Sequence, residues 1–191
     1  MPARGFGFKT VTGTAQPVFG TTTTTIAVPT PDQYTGRMDP ASNRSTVQVT
    51  VTDVSYFRKG DRVMLGISDS FLVFPPVGTL PPDSAQVIAI AGSVLTLQGL
   101  TRRHEIGEFI VLSIPCARIK IQAGSGNTGE LYIGEDPTVS VTSTTLIDQV
   151  DPSAGRTFDI GSSASGNVFD TPHFWLLGTA PDTYLPSIIL I

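Results

Sequence analysis

A regular alternation of apolar and polar residues begins at Thr46 and continues through much of the chain. Val47, Val49 and Val51 alternate with polar residues, and this period of two is typical of a half-buried β-strand. Similar patterns predict further strands at 62–65, 85–91, 94–97, 108–113, 118–121, 131–133, 139–142, 158–160, 174–177 and 188–191. No window of about a dozen residues shows an apolar helical stripe free of Gly and Pro. The sequence therefore predicts an all-β fold of small antiparallel barrels or sandwiches.

Turn residues divide this pattern into two modules. Gly60 with Asp61 and Gly92 with Ser93 are typical of tight turns, which favour antiparallel pairing. Residues 74–82 contain four prolines and are predicted to form a loop, because proline cannot donate to a sheet ladder. We predict a β-barrel module at 46–117 and a β-sandwich module at 118–191, with the glycine-rich stretch 124–129 as a hairpin.

Residues 1–45 show little periodicity and are predicted to form an extended N-terminal arm. A free arm could bind a neighbouring subunit by adding a strand to an exposed sheet edge. Aromatic side chains would anchor such a contact, because they often dominate interface energetics. The alternative is a passive, disordered tail. The predicted interaction residues are Phe6, Phe8, Phe19, Thr21, Thr22, Thr23, Thr24 and Thr25.

Composition narrows the range of partners. Charged residues make up 15% of the chain, and the net charge is −4 without a concentrated basic face, so we expect no nucleic-acid partner. Residues 1–120 hold 11 basic and 8 acidic side chains (net +3), and residues 121–191 hold 1 and 8 (net −7). We expect no secretion signal or membrane span. The lone cysteine, Cys116, has apolar neighbours that favour a buried, inert thiol.

Candidate chemistry is sparse. His104 lies in a polar turn, where capping and solvation are the usual roles, and His173 precedes an apolar strand. Neither histidine belongs to a motif for nucleophilic catalysis or zinc binding. The acidic pairs Glu135 with Asp136 and Asp148 with Asp151 lack the ligand spacing of a calcium loop and are interpreted as solvated turn carboxylates. We expect no catalytic, cofactor-binding or metal-binding residues, no cofactor, and a protein that is not an enzyme.

Two alternatives to a purely structural role stay open. A carbohydrate-binding module needs exposed aromatic residues, and Tyr132, Trp175 and Tyr184 are the candidates, although Trp175 also fits a core position. A glycosidase needs two carboxylates at a separation that only the fold determines.

The turn-and-core patterns resemble modules of bacteriophage virion proteins. A strand with Gly60-Asp61-Arg62-Val63, a hairpin with Gly92-Ser93-Val94-Leu95-Thr96-Leu97 and a return with Leu100-Thr101-Arg102-Arg103-His104 resemble a small β-barrel module. Residues 127–136, 139–142 and 174–180 are similar to a β-sandwich module of capsid decoration proteins. Both resemblances concern scaffold residues, so no functional residue transfers from either family.

The resemblance implies a capsid decoration (cement) protein that binds the assembled head shell and stabilises contacts between neighbouring capsid subunits. A tail, baseplate or head–tail connector component is the nearest alternative, followed by a carbohydrate-binding receptor module of the virion. The expected partners are the major capsid protein and copies of the chain itself, as a homotrimer. Made in the host cytoplasm, the protein would reside on the capsid surface, with residues 1–120 toward the shell. The apolar end at 188–191 is expected to be an exposed edge that invites pairing.

Overall fold

The computed structural model describes residues 2–26, 46–67, 83–101, 104, 106–135, 139–140, 142, 144, 146–151, 157–160 and 169–191. Across these residues the fold is all-β, as the alternation predicts. The strands are β1 (Ala3–Gly5), β2 (Lys9–Thr10), β3 (Gln16–Pro17), β4 (Gly20–Ile26), β5 (Thr46–Val51), β6 (Arg62–Ile67), β7 (Asp83–Ala91), β8 (Val94–Gln98), β9 (Phe109–Leu112), β10 (Pro115–Ala123), β11 (Leu131–Gly134), β12 (Leu146–Val150), β13 (Thr157–Ile160), β14 (Phe169–Asp170), β15 (Trp175–Leu177) and β16 (Thr183–Leu190). Single-turn 3-10 helices lie at Val54–Tyr56 and Thr171–His173.

Six antiparallel strands form a closed barrel in the order β4-β5-β8-β7-β6-β9. The alternating valines of β5 point into its core, where they are almost fully buried. Val87, Leu95 and Leu97 from β7 and β8 pack in the same core. Closure pairs every barrel strand on both sides, which removes the free edges that an open sheet would leave.

The barrel closes where β4 meets β9, and Gly20 allows this close approach. Gly20 is paired with Val111, and a Cβ atom at Gly20 would lie 2.6 Å from the carbonyl oxygen of Ile110. A side chain at this position would therefore have to displace backbone. Glycine here is a packing requirement of the barrel seam.

The remaining strands form two antiparallel sheets. The first has the order β1-β16-β10-β13, with β14 also paired to β10 and β2 to β16. The second has the order β12-β11-β15-β3. Leu131 and Ile133 from the second sheet and Ile119 and Ile121 from the first sheet belong to one buried cluster, which also includes barrel residues. The two sheets and the barrel thus share a continuous core.

Both faces of strand β15 in the second sheet are covered. Leu176 joins the large core, whereas its neighbour Trp175 packs in a separate cluster with Val111 of the barrel and with Val139. The rings of Trp175 and Phe109 meet edge to face at 5.3 Å. Because successive side chains on a strand point to opposite faces, β15 packs into the large shared core on one face and against the barrel on the other.

The predicted free arm is wrong for the residues that the structure describes. Residues 2–26 form strands in all three sheets: β1 and β2 pair with β16, β3 pairs with β15, and β4 closes the barrel. The predicted module boundaries change accordingly, because the barrel draws on β4, and the passage to the next sheet lies between Leu112 and Pro115. Residues 27–45 lie outside the described part, as does the predicted loop at 74–82.

Three other local predictions are corrected. The C-terminal strand is not an edge, because β16 lies between β10 on one side and β1 with β2 on the other. Val139 and Ser140 are not in a strand, and β12 lies further along the chain. Stretch 124–129 is not a hairpin, because β10 and β11 belong to different sheets. Asp182 holds this connection, accepting hydrogen bonds from the backbone N–H groups of Thr128 and Gly129, both at 2.8 Å.

Candidate functional site

A groove of about 370 Å³ lies where the N-terminal strands run beside the barrel. One wall comes from residues 8–17, and the other comes from the start of β4 and the segment after β5. We call it the hydroxyl groove, because threonine is the commonest residue in its lining. It is lined by Phe8, Lys9, Thr10, Thr12, Thr14, Ala15, Gln16, Pro17, Gly20, Thr21, Thr22, Thr52, Asp53, Tyr56 and Phe109.

An ion pair between a buried lysine and a partly exposed aspartate crosses the groove from wall to wall. The Lys9 side chain, 6% exposed, places its Nζ 2.7 Å from Asp53 Oδ2. The same ammonium donates to the Ser55 hydroxyl and lies 4.0 Å from the centre of the Tyr56 ring. Lys9 is on β2 and Asp53 follows β5, so this pair joins the first sheet to the barrel.

The Asp53 carboxylate is held in its charged form. Burial raises its pKa, but hydrogen bonds from Lys9 and Ser55 outweigh that effect, and the pKa lies below the usual value of 3.8. Asp53 Oδ1 accepts from the Ser55 backbone N–H at 2.9 Å and from its hydroxyl at 2.6 Å. This side chain caps the short helix at Val54–Tyr56, a common role of aspartate before a first turn.

Two tyrosines meet below the ion pair. The hydroxyls of Tyr56 and Tyr184 lie 3.1 Å apart, and Gln16 Nε2 donates to Tyr184 Oη at 3.2 Å. Burial raises the pKa of both phenols, so they remain neutral hydrogen-bonding groups at physiological pH. Their contact connects the barrel to β16 and holds the Gln16 amide at the groove wall.

Hydroxyl pairs line the rest of the groove. Thr12 Oγ1 donates to Gln16 Oε1 at 2.6 Å and lies 3.2 Å from Thr14 Oγ1. On the opposite wall, Thr52 contacts the hydroxyls of Thr21 and Thr22. A hydroxyl carries one donor and two acceptor sites, so each pair keeps hydrogen-bonding capacity for a third group.

Phe8 stands at the rim. Its side chain is 64% exposed, although it lies between β1 and β2, which are both paired to β16. An aromatic ring held on ordered backbone and left in solvent is available to a ligand or partner.

The structure places three predicted interaction residues, Phe8, Thr21 and Thr22, in this one groove. It removes Phe6 and Phe19 from the surface, since both are buried core residues whose rings pack at 5.4 Å.

The other three predicted interaction residues lie further along β4. Thr23 is buried and accepts from the Gly107 N–H at 3.1 Å, whereas Thr24 and Thr25 are exposed.

Other residues singled out in the sequence lie elsewhere. His104 is buried and not solvated: its Nδ1 is 2.7 Å from Glu108 Oε2, and its Nε2 is 3.4 Å from Asp83 Oδ2. Cys116 is buried, as predicted, and burial raises the pKa of its thiol to about 12. Trp175 is a core residue, as its apolar neighbours favour, and Tyr184 is buried too, so neither ring is exposed as the carbohydrate-binding alternative requires.

Three further side chains have different surroundings. Tyr132 is half-buried, and its hydroxyl donates to Glu130 at 2.7 Å, which raises the pKa of the phenol. His173 is exposed, and so is Asp148. Among the described residues, no group of three or more His, Cys, Asp or Glu side chains is arranged to hold a metal ion.

Sequence reasoning missed Lys9, Asp53 and Gln16 as groove residues. Lys9 and Asp53 are 44 positions apart, and Gln16 and Tyr184 are 168 apart. No local pattern connects residues at such separations, so nothing in the sequence could have identified them as a group.

Comparison with protein-family models, curated proteins and solved structures produced no match. Within the part of the chain that the structure describes, no helix is long and apolar enough to cross a membrane.

Proposed function

We propose that this protein is a bacteriophage capsid decoration (cement) protein that binds the assembled head shell and stabilises contacts between neighbouring capsid subunits. The observation that supports this most is the way the N-terminal strands bind the barrel to the two sheets. A cement protein has to bear load between subunits, and a body with buried cross-links between its parts transmits load without opening.

A buried arginine is the strongest of these links. Arg4 on β1 is 4% exposed and forms a bidentate pair with Asp61 in the turn before β6, both contacts at 2.8 Å. It also donates to the Tyr56 carbonyl at 2.5 Å and lies over the Phe6 ring at 5.0 Å. Bidentate geometry fixes orientation as well as distance, so the first sheet and the barrel are held in one arrangement.

We place the shell contact at the barrel end formed by Thr24, Thr25 and Ile106, which we call the barrel-end surface. Ile106 is 67% exposed, and the N–H of the next residue donates to the Thr23 carbonyl at 2.9 Å. The surface thus combines an exposed apolar side chain with uncharged hydroxyls. The barrel-end surface belongs to residues 1–120, which have a net charge of +3. Residues 121–191, with a net charge of −7, would then face solvent.

Binding to shells tests the proposal. Purified protein should co-sediment with empty shells assembled from the major capsid protein encoded with this chain. Ile106→Ser should weaken that binding, because it removes the exposed apolar side chain without disturbing the core. Phe8→Ala is the matched control, since Phe8 is equally exposed but lies at the groove, and it should bind shells normally. Failure of the unmodified protein to co-sediment would refute the proposal.

We also include a homotrimer in the proposal. The apolar C-terminus cannot supply the contact by edge pairing, because β16 is paired on both sides. Strands β12 and β13 each end the strand order of a described sheet, as β1 and β3 do at the opposite ends, and self-association by edge pairing would use one of these strands. Light scattering of the purified protein should give three times the chain mass of 20.2 kDa, and a stable monomer would remove the trimer from the proposal.

A further inference from the structure

We infer that the hydroxyl groove is a binding site for a neutral saccharide. This function is separate from shell binding, because it uses the groove and not the barrel-end surface. Four properties of the groove lead to it: size, hydrogen-bonding character, charge and an aromatic rim.

The size suits a small ligand. Ligand sites in proteins commonly have volumes of about 300–1,000 Å³, and the groove, at about 370 Å³, is at the lower end of that range. Its walls come from strands β2 to β4, from the β2–β3 connection, which Thr12 and Gln16 join by hydrogen bonds, and from the segment that Asp53 joins to Lys9. These contacts are present without a ligand, so the site is preformed. A preformed site loses little conformational entropy on binding.

The hydrogen-bonding character suits a ligand rich in hydroxyls. Thr12 and Thr14 on one wall and Thr22 and Thr52 on the other present hydroxyls that each donate once and accept twice. The Gln16 amide is used within the protein, because its Nε2 donates to the Thr10 carbonyl and the Tyr184 hydroxyl and its Oε1 accepts from the N–H and hydroxyl of Thr12. Gln16 therefore positions the Thr12 hydroxyl and does not contact the ligand itself. A saccharide hydroxyl also donates and accepts, so it can pair with any of these threonine hydroxyls without leaving a polar atom unsatisfied.

The charge balance favours a neutral ligand over an ion. Lys9 already faces the Asp53 carboxylate at 2.7 Å and the Ser55 hydroxyl, so its charge is compensated within the protein. An anionic ligand would be attracted by Lys9 but repelled by Asp53, and a cationic ligand would be attracted by Asp53 but repelled by Lys9. The groove lining therefore gives no net electrostatic attraction to a ligand of either sign.

The rim supplies an apolar face. The Phe8 ring is 64% exposed at the groove edge, and Phe109 lies half-buried in the lining. The C–H groups on one face of a pyranose ring are apolar and pack on an aromatic ring, while the hydroxyls around the ring reach polar partners. An exposed aromatic ring beside a hydroxyl-lined wall therefore complements a sugar ring that has apolar C–H groups on one face and hydroxyls around its edge.

The full chain should be titrated with a panel of neutral oligosaccharides built from glucose, galactose, mannose or N-acetylglucosamine, with sialylated and sulfated glycans as charged counterparts. At least one neutral glycan should bind. In NMR spectra of the protein, the largest chemical-shift changes on adding that glycan should be those of the amide signals of Gly20, Thr22 and Thr52. Phe8→Ala should weaken binding by about tenfold or more. Ile106→Ser, which alters an equally exposed residue outside the groove, should bind the sugar normally.

Thermal melting of each variant separates lost binding from lost folding, and we expect Phe8→Ala to melt with the unmodified protein. Absence of binding to every neutral glycan at millimolar concentration would overturn the inference. Binding of anionic glycans alone would also overturn the inference. The same holds if a neutral glycan binds but the chemical-shift changes lie away from the groove and are the same in Phe8→Ala. Shell binding by the same preparation is an independent measurement, so failure of either function is distinguishable from failure of the other.

Discussion

Side chains of one type have opposite roles in this protein. Phe6, Phe8 and Phe19 occur within 14 positions and look equivalent in the sequence. In the structure Phe19 is completely buried at the barrel seam, Phe6 packs against it, and Phe8 stands in solvent. Strand alternation does not explain the difference between Phe6 and Phe8, because residues two positions apart lie on the same face of a strand. The backbone changes direction between them at Gly7, whose φ is 72°, whereas Phe19 lies directly before β4.

This difference predicts unequal effects on stability. Phe19→Ala should lower the free energy of unfolding by about 3–5 kcal/mol, because it leaves a cavity where the barrel meets the sheets. Phe8→Ala should change it by less than about 0.5 kcal/mol, as is usual for exposed positions. Urea denaturation followed by circular dichroism measures both. Equal effects of the two substitutions would contradict the placement of these rings.

The lowered pKa of Asp53 predicts a pH dependence. Because its pKa is lower in the folded state than in the unfolded chain, the charged form stabilises the fold above the unfolded value of about 3.9. That contribution is lost as the pH falls through the lower, folded value. The stability difference between the unmodified protein and Asp53→Asn should therefore be larger at pH 6 than at pH 3, in denaturant titrations at both values.

Lys9→Met removes the other member of the same ion pair. The difference in unfolding free energy between this variant and the unmodified protein should also be smaller at pH 3 than at pH 6. A difference that stays constant between pH 6 and pH 3 would mean that the carboxylate does not act through its charge.

Strands β1 to β4 matter more to the fold than their composition indicates. Their short length and threonine-rich sequence bury little locally, yet they supply the barrel seam and the outer neighbours of β16 and β15. The residues that connect these strands place Val11, Val18 and Phe19 in the core.

Removal of this segment should therefore destroy the fold. A chain beginning at Ser45 lacks β4, so the barrel opens between β5 and β9 and exposes apolar core residues. We expect it to lose cooperative thermal unfolding and near-ultraviolet circular dichroism. This reverses the expectation for a free arm, in which such a truncation would melt near the temperature of the full chain. Retention of a sharp transition close to the full-length temperature would contradict the role of β4.

At the level of the whole molecule, the barrel and the sheets share one core and are joined by Arg4 with Asp61 and by Lys9 with Asp53. Trp175, the single tryptophan of the chain, lies at the contact between β15 and the barrel. Its fluorescence therefore reports on the junction, while far-ultraviolet circular dichroism reports on all strands.

We predict one cooperative unfolding transition, with coincident midpoints from fluorescence and circular dichroism. Arg4→Met should lower both midpoints together and cost about 3–5 kcal/mol, because it leaves the Asp61 carboxylate without its buried partner. Lys120→Met is a suitable control, since Lys120 is exposed on the same first sheet. If the fluorescence transition preceded the loss of circular dichroism, the two parts would be separate folding units.

The sequence by itself determined the class of fold and much of the strand pattern after Thr46. Alternation is a local property, and a strand with one buried face needs apolar residues at every second position wherever it is placed. The buried valines of β5 and the buried Val87, Leu95 and Leu97 of β7 and β8 therefore follow the predicted pattern, whereas the apolar end of β7 is exposed at Ile90. The buried thiol of Cys116 follows in the same way from apolar neighbours.

Only the tertiary structure decided which strands pair and which side chains meet. Residues 2–26 carry weak alternation, because their strands are short and are stabilised by partners far along the chain, such as β16. The groove is assembled from Lys9, Gln16 and Asp53, which contact one another or Tyr184 only after the barrel closes against the sheets. Burial of Trp175 depends in the same way on the barrel covering the second face of its sheet. Contacts between residues so far apart in the sequence depend on how the strands pack together and not on neighbouring residues. The groove therefore exists only in the folded molecule.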